Sequence, residues 1–88
     1  MKINLKKLPT GTYVRVFFKN NSNESERIYK YLKHVPGSIV VNKYDYCFEP
    51  FGDGGNIWLN EDGMWGSRNY YFKIIEVLNE NDYPEYYI

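Results

Sequence analysis

Thr12-Tyr13-Val14-Arg15-Val16-Phe17-Phe18-Lys19 decides the fold class, because nearly every position is β-branched or aromatic. Such residues suit a pleated, half-buried surface better than a helix. Gly11 before the stretch and Asn20-Asn21-Ser22-Asn23 after it supply turn chemistry. A matching run closes the chain at Tyr70-Tyr71-Phe72-Lys73-Ile74-Ile75-Glu76-Val77-Leu78. Between them, Ser38 to Asn42, Tyr44 to Glu49 and Ile57-Trp58-Leu59 also read as strands, the second stopped by Pro50. Asn60-Glu61-Asp62-Gly63 is a turn, and Met64 to Asn69 reads as a loop with two-sided Gly punctuation. Five strands with short connections predict a mainly β protein: a small five-stranded barrel or strongly bent antiparallel sheet with at most one short helix.

Residues 24–35 admit two readings. Ile28, Tyr31, Leu32 and Val35 fall at i, i+3, i+4 and i+7, and Asn23 with Glu26 resembles a capping box, so a short helix is expected there. That helix would make the class α+β. Tyr29 and Tyr31 equally suit a strand, with Pro36-Gly37 as the turn of a hairpin.

Leu8-Pro9-Thr10-Gly11-Thr12-Tyr13-Val14-Arg15-Val16 resembles the Gly-x-x-Val-x-Val opening of small Src-homology-3-like barrels of bacteria and phages. Tyr71 to Val77 is similar to a closing strand of such barrels. The resemblance implies a barrel and carries no function with it.

With 88 residues the chain is expected to be one domain, 1–88, whose acidic end, 79–88, is a candidate flexible tail. Eleven basic and eleven acidic residues cancel, which excludes a polycation that coats nucleic acid through bulk charge. The cancellation hides a lopsided chain. Residues 1–44 hold nine basic and two acidic side chains, and residues 45–88 hold two basic and nine acidic ones. Either the molecule has one basic and one acidic face, or strands from the two halves pair and neutralise each other. One cysteine and one histidine leave no intrachain disulfide and no thiol-based zinc site, and no cofactor is expected. No apolar run approaches the ~20 residues of a membrane helix, and the N-terminal stretch lacks the pattern of a signal peptide, so a cytoplasmic protein without a membrane partner is expected. Phe, Tyr, Met, Ile, Asn and Lys make up 42 of the 88 residues, with no Ala or Gln. This AT-rich coding bias suggests a low-GC, phage or mobile-element origin.

Ten tyrosines exceed what so small a core can hide, because each buried hydroxyl needs a partner. Surface tyrosine marks protein interfaces. Trp65 lies beside Met64 and Arg68 in a Gly-containing segment, a composition typical of interface hot spots. It also suits stacking on a base with Arg68 on a phosphate. Trp58, Tyr70, Tyr83 and Tyr86 extend the aromatic set, and Asp53, Glu61 and Asp62 supply acids for a basic partner. Gly52 to Asn56 offers a nest for an anion, but it lacks a P-loop ending and reads more simply as a hairpin loop. The turn acids match no calcium-loop spacing, and no third group orients a His34–Cys47 pair, so Cys47 reads as a small core residue. The expected function is non-enzymatic: binding that inhibits or modulates a protein partner, by a monomer or homodimer. The alternatives are an oligomeric nucleotide-sequestering protein, and a nucleic-acid module using Lys2, Lys6, Lys7, Arg15 and Lys19 with Tyr13 and Phe17 as stacking platforms.

Overall fold

The computed structural model describes residues 3–36 and 44–88. Six strands form one antiparallel sheet: β1 (Tyr13–Asn20), β2 (Asn23–His34), β3 (Tyr46–Pro50), β4 (Ile57–Leu59), β5 (Met64–Ser67) and β6 (Tyr70–Leu78). Their order is β4-β3-β2-β1-β6-β5. Consecutive strands pair except β4 and β5, and β6 returns to β1, giving a nearly closed, barrel-like ring whose described strands leave a break between β4 and β5. The mainly β, strongly bent architecture is therefore the one expected. Its helical content among the described residues is two single 3-10 turns, Leu5–Lys7 and Pro84–Tyr86. The strand expected at 38–42 lies outside the described residues.

Two segments differ from the expectation. Residues 24–34 are strand, not helix, because the tyrosines dominate the apolar spacing. Tyr29 and Tyr31, two apart, are both buried, and they stand opposite Val14 of β1 and Phe48 of β3 respectively. Asn23 caps no helix: it pairs with Asn20 across a hairpin whose Asn21 takes φ 56°, a left-handed value that asparagine tolerates. Met64–Ser67 is likewise strand rather than loop, paired with β6 through Met64↔Lys73, Trp65↔Phe72, Gly66↔Tyr71 and Ser67↔Tyr70. Counting these two, the sheet has six described strands in place of five.

The ring is closed at one end and open at the other. β3 meets β2 only between Tyr29 and His34. The last rung on that edge is Phe51 N–H donating to the Ile28 carbonyl at 2.8 Å. Beyond it, Asn23 to Arg27 have β1 on one side and no described strand on the other. The closed end is filled by Leu5, Val14, Tyr31, Tyr46, Phe48 and Leu59, all nearly inaccessible to solvent. Leu5 belongs to no strand. Its 3-10 turn plugs the ring from below and ties to the β4–β5 connection, Leu5 N–H donating to the Glu61 carbonyl at 2.9 Å.

The lopsided charge resolves into pairing. Every ion pair among the described residues joins a cation of the first half to an acid of the second: Lys6–Glu61, Arg15–Glu76, Lys30–Glu49 and His34–Asp45. Register sets Arg15 opposite Glu76 and Lys30 opposite Glu49, and Lys6 meets Glu61 where the N-terminal turn docks on the β4–β5 connection. No described helix is long and apolar enough to cross a membrane.

Candidate functional site

Beside the break in the ring lies a cleft of about 420 Å³. Met64, Trp65, Gly66, Ser67 and Arg68 all line it. Successive side chains of a strand point to opposite faces, so a cleft touched by five consecutive residues runs along the strand's edge. That edge of β5 is the one not taken by β6. Tyr44 and Asn60 bound the cleft on the far side, and Tyr71 and Lys73 of β6 bound it beneath.

Asn60 sets the start of the cleft. Its N–H donates to the Met64 carbonyl at 2.9 Å. Its Oδ1 accepts from the N–H groups of Asp62 and Met64 at 3.0 and 3.1 Å. Past this turn β4 and β5 form no ladder. Gly66 is obligatory where β5 crosses β6. Its φ of +111° is outside the range of L side chains, and an added Cβ would overlap the Tyr70 carbonyl and come within 2.8 Å of Tyr71 Cα.

Trp65 is half-buried and packs on the core edge, with ring centroids 5.6 Å from Phe72, 5.7 Å from Tyr70 and 6.5 Å from Tyr44. An indole held by three neighbours has little rotamer freedom left to lose on binding. Arg68 and Lys73 make no ion pair with a described carboxylate. The undescribed residues 1–2 and 37–43 contain no Asp or Glu either. The cleft thus combines a fixed aromatic, an exposed methionine and two uncompensated cations beside an edge of β5 that pairs with no described strand.

Of the sequence-derived site residues, Trp65, Arg68 and Met64 come together here, and Tyr70 supports Trp65 from beside it. Trp58 is on β4, opposite Cys47 and 40% exposed, outside the cleft lining. Asp53 lies exposed in the β3–β4 loop. Glu61 and Asp62 sit on the turn below, facing the N-terminal segment at Ile3, Asn4 and Lys6. Lys73 and Tyr71 were not legible as site residues, because register alone brings them to the cleft, and Tyr44 reaches it from just before β3.

Tyr83 and Tyr86 belong to another face. Tyr86 packs on Tyr13 and Phe51, and Tyr87 O–H donates to the Leu78 carbonyl while accepting from Tyr13 N–H. Tyr83 O–H donates to Glu76 Oε2 at 2.8 Å, and Arg15 Nε donates to Glu76 Oε1 at 2.9 Å. The Arg15 bond, then the Tyr83 bond, hold the Glu76 carboxyl below its ordinary range, and the same carboxylate raises the Tyr83 hydroxyl. A carboxylate favoured in the folded state stabilises fully above its unfolded pKa and loses that contribution as pH falls through the folded one. Glu76→Gln is therefore expected to lower the urea midpoint at neutral pH. The gap from wild type should close as the pH drops below the glutamate range. The site is solvent-exposed, so the effect is small and salt-sensitive.

His34 stacks on Tyr46 at 4.0 Å and 3° and meets Asp45 Oδ2 at 3.2 Å. Cys47 is buried, and burial pushes its thiol up, so it stays protonated and packs as a small apolar group. Among the described residues no group of three His, Cys, Asp or Glu side chains is placed to hold a metal. No family model, curated protein or solved structure matches this chain.

Proposed function

We propose that this protein is a small non-enzymatic binding module for another protein, and that the partner lays an extended, acidic segment along β5. The observation that carries the reading is the meeting, in one cleft, of a β5 edge that has no partner among the described strands with two uncompensated cations, Arg68 and Lys73. Strand addition supplies main-chain hydrogen bonds, and neighbouring side chains select the sequence. Trp65 and Met64 supply the apolar anchor, and the cations steer an acidic partner. Capture of a segment occludes it, which is how so small a module inhibits or modulates its target.

The test is an NMR titration with two short synthetic peptides, alternating Val-Glu and alternating Val-Lys. The Val-Glu peptide is expected to shift the amides of Met64 to Arg68, with affinity falling as salt rises. Trp65→Ala should weaken it by about tenfold or more. Equal response to both peptides, or none at β5, overturns the proposal. The aromatic walls of the cleft also support a second reading, a nucleotide stacked on Trp65 with its phosphate on Arg68. Shifts of the same amides by a nucleoside monophosphate, with none from the Val-Glu peptide, would select it.

A further inference from the structure

We propose that the concave face at the open end of the ring is a separate binding site, for a small carboxylate with a short apolar tail. Register sets the argument. Ser25, Arg27 and Tyr29 of β2 stand opposite Phe18, Val16 and Val14 of β1. Val14, Val16 and Tyr29 are buried core residues, so this shared face looks into the ring. Arg27 therefore occupies an inward register position in a barrel-like fold, where apolar side chains are the rule.

No described carboxylate lies within ion-pair distance of Arg27, and the undescribed residues contain none. Its guanidinium reaches across the opening towards the β3–β4 loop, since a Cβ on Gly54 would stand 3.7 Å from Nη1. Beneath it is a cavity of about 210 Å³, lined by Val16, Phe18, Ser25, Arg27, Tyr29 and Phe72. Val16 and Tyr29 form the buried part, and the Phe18 and Phe72 rings stack at 4.7 Å. Ser25 and Arg27 are exposed at the rim.

An apolar hollow with a forked donor at its mouth fixes both ends of a ligand. A planar carboxylate accepts two parallel hydrogen bonds from a guanidinium, which a neutral alcohol cannot do and an ammonium opposes. The cavity lies below the roughly 300–1,000 Å³ of pockets for drug-sized molecules, so the tail is short. The cavity exists because β3 and β4 stop short of this end, leaving the upper part of β2, β1 and β6 uncovered. It shares no lining residue with the β5 cleft and does not depend on the function proposed for that cleft.

The experiment is an NMR titration of the whole chain with hexanoate, hexanol and hexylamine, repeated on Arg27→Met and Arg27→Lys. Hexanoate is expected to shift the amides of Val16, Phe18, Tyr29 and Phe72. It should bind about tenfold or more tightly than hexanol, with hexylamine weakest. Arg27→Met should remove the preference for hexanoate and leave hexanol unchanged, while Arg27→Lys should keep part of it. Near-equal binding of the three probes overturns the proposal, as does a hexanoate response confined to the Trp65 cleft or no response at millimolar concentration. If Arg27→Met lowers the melting temperature, the ratio of hexanoate to hexanol affinity in the folded Arg27→Lys variant decides.

Discussion

Replacing Leu5 with Ala is expected to lower the stability of the protein by about 2–5 kcal/mol, the cost of truncating a buried leucine. Leu5 is 1% exposed and plugs the closed end of the ring from outside the sheet. The truncation leaves a cavity that the strands cannot fill, because their hydrogen bonds fix the end's diameter. In a domain of this length the loss corresponds to roughly 10–30 °C in Tm. Leu5→Met, which keeps the volume, should cost less than about 1.5 kcal/mol. Thermal unfolding followed by near-ultraviolet circular dichroism separates the two. A Leu5→Ala protein that melts with wild type would show that the plug is not part of the cooperative core.

Gly66→Ala is the second large effect. The backbone at Gly66, φ +111°, lies in a region nearly closed to alanine. The obstacle around the new Cβ is main chain of Tyr70 and Tyr71, not a side chain that can swing away. Strain of about 1–3 kcal/mol therefore combines with a shift of β5 against β6. The expected outcome is a protein less stable by about 3 kcal/mol, with the Trp65 surroundings changed in its fluorescence spectrum. Wild-type stability and an unchanged Trp65 signal would contradict the placement of β5.

The long strands were legible because their residues allow little else. Tyr13 to Lys19 and Tyr70 to Leu78 are β-formers almost throughout, and each became a strand within a residue of its expected bounds. β2 was harder, since Ile28, Tyr31, Leu32 and Val35 fit a helical stripe by coincidence. What decides is the tertiary partner: Tyr29 has Val14 and Tyr31 has Phe48, and a helix would forfeit both rows of hydrogen bonds. β5 was illegible for the opposite reason. Met-Trp-Gly-Ser has no β-branched residue, and its glycine, which reads as a loop, is needed for the close crossing of β6. Leu5, between Asn4 and two lysines, carries no periodicity to mark it as core.

The candidate site was half visible. Trp65, Met64 and Arg68 are near neighbours in sequence, so composition alone gathers them. Lys73 and Tyr71 arrive through Met64↔Lys73 and Gly66↔Tyr71, which exist only once β5 is known to be a strand. Asp53, Glu61 and Asp62 stand out in the sequence by charge alone. Charge does not say where a turn points, and these lie elsewhere.

The pairing of β1 with β6 has a consequence for the order of events during synthesis. β1 is made early and has two edges to satisfy. β2 follows at once across a tight turn, but the partner of the other edge is the distant β6, with Tyr13 opposite Leu78. A nascent chain therefore carries a hydrophobic hairpin with an open edge until β6 has emerged. The closing contacts join Tyr13 to Leu78, the kind of long loop closure that makes folding slow. The second edge of β1 thus has no native cover until Tyr70–Leu78 has been made.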